Sequence, residues 1–159
     1  MANITVITVG SLKEAYLREA VAEYKKRLSQ YARVDEVELK EERINNEDNR
    51  AEIESALAKE ADKILAAIPK DAFKIALCVE GKQYTSEELA RLIGDGCDRS
   101  GKIALIIGSS YGLSERVKRE CDVRLSFSKL TFPHQLMKAV LFEALYRSFT
   151  ILAGKRYHK

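Results

Sequence analysis

Residues 125–136 combine hydroxyl, cationic and aromatic side chains in a pattern typical of a ligand-binding loop. The run reads Leu-Ser-Phe-Ser-Lys-Leu-Thr-Phe-Pro-His-Gln-Leu, which is too apolar for a merely solvated loop. Such a mixture suits a ligand with a flat apolar face and a hydrogen-bonding edge, such as an adenine ring. A buried loop that staples onto the following helix explains the same composition, so both interpretations stay open at this point.

A second candidate is the turn Gly108–Gly112, which reads Gly-Ser-Ser-Tyr-Gly between an apolar run and a short charged segment. A turn that joins a strand to a helix can bind a phosphate or nucleotide through its backbone N–H groups. The run is not a dinucleotide fingerprint, because Ser110 takes the second glycine position, and no Gly-Lys-Ser/Thr follows as in a P-loop. A nicotinamide-dependent enzyme is therefore the weaker alternative, and a purely structural tight turn stays open.

The chain has two histidines, and they suggest different roles. His134 lies near the start of a predicted helix, where the helix dipole disfavours a protonated imidazole, so a structural or pocket-lining role is expected. His158 follows Tyr157 in a terminal tail that is expected to be free. An imidazole can exchange a proton near neutral pH and a phenol ring can stack on a nucleobase. The pair could therefore act on a base, or the tail could be frayed and idle.

Charge is distributed unevenly along the chain. The formal net charge is +3, but residues 101–159 carry +7 while residues 1–100 are mildly acidic. The basic part ends with Lys155, Arg156 and Lys159, which could bind the phosphates of an RNA. A noncatalytic RNA-binding module and a merely solvated basic surface both remain alternatives on charge alone.

Hydrophobic periodicity predicts the elements that must position these residues. Short apolar runs predict strands at 4–9, 34–39, 73–79, 102–107 and 123–127. Helical spacing predicts helices at 17–31, 53–68, 85–93, 114–120 and 133–153.

Strands that alternate with helices, and that are apolar without alternation, predict an α/β domain. We expect one domain over residues 1–159, with a mostly parallel sheet and helices on both faces. Ligands of such sheets bind beyond the carboxyl ends of the strands. Leu77–Lys82, Gly108–Gly112 and Phe127–Phe132 should therefore meet at one edge, and Glu80-Gly81-Lys82 should end the third strand.

The last predicted helix is apolar nearly all round, which indicates cover on two sides and favours a homodimer. Cys78, Cys97 and Cys121 match neither a disulfide framework nor metal-ligand spacing, so we expect reduced thiols, no metal and a cytoplasmic protein. No apolar stretch of 18 residues occurs and no leader is expected, so we expect no membrane partner.

Several segments together carry a family resemblance that extends over essentially the whole chain. They are Ile-Thr-Val-Ile-Thr-Val-Gly-Ser-Leu-Lys-Glu-Ala-Tyr at 4–16, Leu-Cys-Val-Glu-Gly-Lys at 77–82, Ile107-Gly108, the loop at 126–135, and the terminal Tyr-His-Lys. The chain resembles the bacterial methyltransferases that modify N3 of a pseudouridine in 23S ribosomal RNA, within the SPOUT superfamily of knotted α/β enzymes. Ser109, where the family commonly has glycine, and Lys155-Arg156 depart from the common pattern.

The resemblance implies a trefoil-knotted C-terminal half that binds S-adenosylmethionine, a homodimer, and the ribosome or its 23S rRNA as substrate. The expected cofactor-binding residues are Leu77, Gly108, Phe127, Ser128, Lys129, Leu130, Thr131 and Phe132. His158 and Tyr157 are the expected catalytic residues and would reach the partner's pocket, since the tail spans up to roughly 24 Å. Lys155, Arg156 and Lys159 are expected to contact RNA.

Overall fold

A computed structural model describes all of residues 1–159. Strands and helices alternate along the chain without exception. Their bounds are β1 (Ala2–Val9), α1 (Ala15–Leu28), β2 (Ala32–Leu39), α2 (Arg50–Ala67), β3 (Phe73–Gln83), α3 (Ser86–Ser100), β4 (Lys102–Ile107), α4 (Glu115–Glu120), β5 (Val123–Ser126) and α5 (His134–Leu152).

The five strands form one sheet in the order β2-β1-β4-β3-β5, and every neighbouring pair is parallel. The predicted α/β fold with a parallel sheet is confirmed. Because all strands run the same way, their carboxyl ends lie at one edge of the sheet. That edge carries the segments after β3, β4 and β5.

Helices cover both faces of the sheet. Alternate residues of β1 belong to two separate cores, with Ile4 and Val6 in one and Ile7 and Val9 in the other. The first core contains residues of α1, α3 and α5, and the second contains residues of α2 and α4. A sheet that is buried on both faces explains why its strands are apolar without alternation.

Helix α3 extends beyond the predicted end at residue 93 and continues to Ser100. The prediction was wrong because two glycines, Gly94 and Gly96, weaken the helical pattern. Gly96 instead permits close packing: a Cβ atom there would lie 2.7 Å from Cδ1 of Phe73 and 3.2 Å from Cδ1 of Ile103. The helix therefore uses glycine to approach the sheet.

Strand β3 also departs from its predicted end. It pairs with β5 as far as Leu77, loses register, and resumes pairing at Lys82, so that both Leu77 and Lys82 face Leu125. The predicted break at 80–82 is thus an irregularity within the strand and not its end. Residues 78–81 therefore form an excursion that lies outside the regular pairing with β5.

The structure also differs from the sequence prediction at the ends of α1 and β5 and at one residue of α5. Helix α1 stops at Leu28, so Tyr31 is not on its apolar stripe but stacks on Phe149 with ring centroids 6.0 Å apart. Phe127 lies outside β5. In α5 the polar Lys138 is buried, and the contact of its ammonium group with Glu36 at 2.8 Å compensates its charge.

None of the helices is both long and apolar enough to cross a bilayer.

Candidate functional site

A cavity of about 700 Å³ is lined by the irregular part of β3 and by residues at and after the carboxyl ends of β4 and β5. The three segments that the sequence singles out for this edge all contribute to its wall. The lining residues are Leu77–Glu80, Ile107–Leu113, Lys118, Leu125–Ser128, Leu130–His134 and Met137. The volume and the mainly apolar wall are typical of a site for a small organic ligand or cofactor.

Seven of the eight residues that the sequence assigns to cofactor binding line this one cavity. They are Leu77, Gly108, Phe127, Ser128, Leu130, Thr131 and Phe132. Lys129 is not part of the wall. The cofactor role of the whole set stays a prediction.

The turn after β4 is tightly closed. The Gly112 N–H group donates to the Ser109 carbonyl oxygen at 2.8 Å. A Cβ atom at Gly108 would lie 2.3 Å from the Gly112 carbonyl oxygen, so only glycine fits there. Ser109 is buried, and its hydroxyl accepts a bond from the Tyr111 N–H group at 3.4 Å. The turn is therefore a rigid wall of the cavity.

The loop between β5 and α5 leaves most of its backbone donors unpaired. Within it, the Ser126 hydroxyl donates to the Ser128 carbonyl oxygen and the Leu130 N–H group donates to the Ser128 hydroxyl, both at 3.0 Å. None of the other N–H groups from Phe127 to Phe132 donates to a backbone carbonyl. These groups, beside apolar side chains, can bind the polar edge of a flat ring.

The cavity wall contains an ion pair. The Lys118 ammonium group, from α4, contacts the Glu80 carboxylate, from the excursion of β3. A hydrogen bond from Lys118 holds the pKa of Glu80 below its ordinary value. Cys78, next to this pair, has a raised pKa because it is partly buried. At neutral pH the pair therefore places one negative and one positive charge in the cavity wall.

The cavity wall also includes His134 and Ser110, and Ser110 lies next to an acidic segment. The Ser110 hydroxyl lies 3.4 Å from a carboxylate oxygen of Glu41. Nearby, Glu60 is buried and its Oε2 accepts a bond from the Glu42 N–H group, while its Oε1 has no partner. Burial raises the pKa of Glu60, although the Glu42 N–H group opposes this. Its carboxyl group is thus held in an unfavourable environment for charge.

The terminal tail is not free, so that expectation was wrong. The Tyr157 ring packs edge-on against Tyr146 with centroids 4.7 Å apart, and the Arg147 guanidinium lies 4.8 Å from the Tyr157 ring centroid. The Tyr157 hydroxyl donates to Glu143 at 3.1 Å. Burial, with hydrogen bonds that include the one to Glu143, raises the pKa of Tyr157 to about 12. The phenol therefore stays protonated.

Both nitrogens of His158 have partners, and their chemistry fixes the tautomer. Arg147 lies 3.1 Å from Nδ1, and Glu87 lies 2.9 Å from Nε2. A guanidinium group can only donate, so Nδ1 must accept and the N–H group must lie at Nε2, where it donates to the carboxylate. Neither nitrogen is available to a substrate in this arrangement.

The cavity and the tail lie apart within one chain. No tail residue lines the cavity. Glu143, which binds Tyr157, lies nine residues along α5 from His134, or about 14 Å. Lys155, Arg156 and Lys159 are exposed. The structure thus gathers the predicted cofactor residues but does not bring the predicted catalytic pair to them.

Sequence reasoning missed four residues of these two regions. The only sequence feature that could have pointed to Lys118 is its position on a short charged helix. Glu87 carries no local signal, because His158 is 71 residues away along the chain. Glu143 and Arg147 have i,i+4 spacing and form an ion pair on α5, but their partners in the tail lie 14 and 11 residues away. No cluster of three or more His, Cys, Asp or Glu side chains is arranged to hold a metal ion.

Comparison with known proteins gives a consistent result. A family model described as "Predicted SPOUT methyltransferase" matches residues 2–158. A protein of Shouchella clausii named "Ribosomal RNA large subunit methyltransferase H" is 49% identical over 158 residues, which are 99% of each chain. A protein of the same name from Clostridium novyi is 49% identical over 160 residues, again with 99% of each chain covered.

Solved structures show the same fold at low identity. A probable methyltransferase from Bordetella pertussis superposes with a TM-score of 0.56 at 15% identity, covering 93% of this chain and 96% of that one. A probable methylase family protein from Haemophilus influenzae gives a TM-score of 0.52 at 15% identity, covering 99% of this chain and 70% of that one. These two matches support the fold alone.

Proposed function

Because the chain belongs to the SPOUT methyltransferase family, we propose that it is an S-adenosylmethionine-dependent methyltransferase of large-subunit ribosomal RNA, acting in the cytoplasm. The acceptor in this proposal is N3 of a pseudouridine in 23S rRNA on the assembled ribosome. The observation that carries it is near-identical length and 49% identity to relatives named as large-subunit rRNA methyltransferases. The sequence resemblance supplies the acceptor atom.

The residues of the cavity fit the cofactor. An adenine ring needs an apolar slot and backbone groups at its edge, and the segment Phe127–Phe132 offers both. Leu77 and Gly108 would form the opposite walls. S-adenosylmethionine, when bound, supplies a methyl group activated by its sulfonium. A trefoil knot in the C-terminal half is part of the proposal.

The protein must supply position and a proton acceptor, because the ring nitrogen loses its proton when it is methylated. The cavity wall has one imidazole, His134, which lies beside Glu41 and the cofactor segments. His158 and Tyr157 are the proposed catalytic residues. Since the tail is docked away from its own cavity, a second copy of the chain must bring its tail to this cavity.

We therefore propose a homodimer in which each site combines one copy's cavity with the other's tail. For His158 to accept a proton, its Nδ1 must leave Arg147, which an incoming nucleotide could replace. Lys155, Arg156 and Lys159 make no ion pair within the chain, so their charges are free for RNA phosphates.

Transfer of labelled methyl groups tests this function. The purified protein is incubated with labelled S-adenosylmethionine and with 70S ribosomes, 50S subunits or protein-free 23S rRNA from a strain without this modification. We expect label in large-subunit rRNA of ribosomes and, after digestion to nucleosides, a methylated pseudouridine by mass spectrometry. Absence of label from every RNA, or binding of NAD but not of S-adenosylmethionine in calorimetry, would overturn the proposal.

A further inference from the structure

The cavity wall contains a single ion pair. Among all its lining residues only Glu80 and Lys118 carry a full charge at neutral pH, apart from any charge on His134. The other lining side chains are aliphatic, aromatic, hydroxyl or thiol groups. An isolated ion pair in a largely apolar wall has to be explained by what it contacts, since exposed pairs contribute little to stability.

The two charges come from two different elements, α4 and β3. Lys118 lies on α4, which is anchored to the second core by the fully buried Val117. The Lys118 side chain is 15% exposed, so its stem is enclosed and its ammonium group is held in place. Glu80, on the excursion of β3, is 55% exposed and can turn toward a ligand without leaving Lys118.

The complement of this pair is a zwitterion. A free α-amino-acid group presents a carboxylate to Lys118 and an ammonium group to Glu80, so one group satisfies both charges. An adenine ring carries no charge at neutral pH, so contact with this ion pair would not strengthen its binding. The methyl donor has one zwitterionic end and one uncharged aromatic end, and the cavity wall likewise has one ion pair and one apolar loop, Phe127–Phe132.

We propose that Glu80 and Lys118 bind the α-amino-acid end of the methyl donor, an assignment that rests on the proposed function. The pair then fixes the direction in which the donor lies in the cavity. A reversed donor would put a zwitterion against Phe127 and Phe132 and leave the ion pair facing an adenine. Such burial of charge without partners is strongly unfavourable.

The assignment separates two ligands that differ only at that end. S-adenosylhomocysteine carries the amino-acid group, whereas 5′-methylthioadenosine has the same adenosine and sulfur but lacks it. Calorimetry measures the affinity of both ligands for the wild-type protein and for the Lys118→Met and Glu80→Gln variants. We expect each variant to lose about tenfold or more for S-adenosylhomocysteine and less than about twofold for methylthioadenosine.

A neighbouring ion pair supplies matched controls. Arg124 contacts Glu115 at 3.0 Å and lies close enough to Glu80 to act on its carboxylate, but neither Arg124 nor Glu115 lines the cavity. Arg124→Met and Glu115→Gln make the same changes of charge as the two test variants. We expect both controls to bind both ligands as the wild type does.

The outcomes are distinct. Equal losses for the two ligands, or no loss for either, would overturn the assignment while leaving the proposed function standing. Wild-type protein that binds neither ligand would overturn the proposed function and this assignment with it. If Lys118→Met fails to fold, Glu80→Gln decides, because it replaces a half-exposed carboxylate by an amide of the same shape.

Discussion

The Nε2 atom of His158 lies 2.9 Å from Oε1 of Glu87, which ties the end of the chain to the first turn of α3. Arg147 holds the other ring nitrogen, and Tyr157 packs beside it on α5. The tail is therefore ordered on the surface of its own chain before any RNA binds. An ordered tail can be presented to a second copy without a large loss of conformational entropy.

Removing the Glu87 carboxylate should make the tail less ordered on the surface of its own chain. We expect Glu87→Ala to lower methyl transfer to ribosomes by about two- to tenfold, the effect of one lost hydrogen bond, with unchanged affinity for S-adenosylhomocysteine. Asp95→Ala is the control, because Asp95 is an exposed carboxylate on the same helix. Full transfer by Glu87→Ala, or an equal loss in the control, would show that the contact does not matter.

Two glycines of α3 should respond in opposite ways to alanine. Gly96→Ala should destabilise the protein by about 1–3 kcal/mol, because the new methyl group collides with the packed ring of Phe73. At Gly94 the nearest atom is the end of Leu152, which is half-exposed and can move. Gly94→Ala should thus be neutral or stabilising by up to about 1 kcal/mol, as alanine favours helix. Urea unfolding of both variants measures this, and equal effects would refute the packing argument.

The strands could be predicted from the sequence, whereas the end of α3, with its two glycines, could not. The strands are predicted well because both faces of the sheet are buried, which leaves continuous apolar runs such as Lys102–Ile107. The parallel arrangement then brings Leu77, Gly108 and Phe127 to one edge without further information. The predicted end of α3 is too early, because the contacts of Gly96 with Phe73 and Ile103 are made by residues that are distant in sequence.

Long-range contacts of charged side chains are likewise not predicted from the sequence. Lys138 belongs to a helix that is predicted to be nearly all apolar, yet it is 2% exposed and bound by Glu36 and Glu38 of β2. The docking of His158 depends on Glu87, 71 residues earlier. Contacts of this kind are decided by tertiary packing, and a single sequence carries no periodic signal for them.

The ion pair between the buried Lys138 and the partly exposed Glu36 should make stability depend on pH. Burial alone would raise the pKa of Glu36, but hydrogen bonds from Lys138 and Lys25 outweigh it and hold the pKa below its ordinary value. A carboxyl group with a lowered pKa in the folded state stabilises that state above its unfolded pKa, about 4.3, and stops doing so as the pH falls through the folded value.

We therefore expect Glu36→Gln to cost about 1–3 kcal/mol at pH 7 and to converge with the wild type between about pH 5 and pH 3. Glu38→Gln is the control, because Glu38 is more exposed and lies farther from Lys138, at 3.3 Å. It should cost less than about 1 kcal/mol. Urea unfolding across this range gives the values. A difference between Glu36→Gln and wild type that does not change with pH would contradict the account.

The most direct test of the composite site is methyl transfer by a mixed dimer. One copy carries Gly108→Val, which disrupts the cavity turn, and the other lacks residues 157–159; two different affinity tags isolate the mixed pair. If each site joins one copy's cavity to the other's tail, one of the two sites is intact, and the mixed dimer should methylate ribosomes at about half the wild-type rate. Both parent dimers should be inactive. A mixed dimer that is as inactive as its parents would contradict the account.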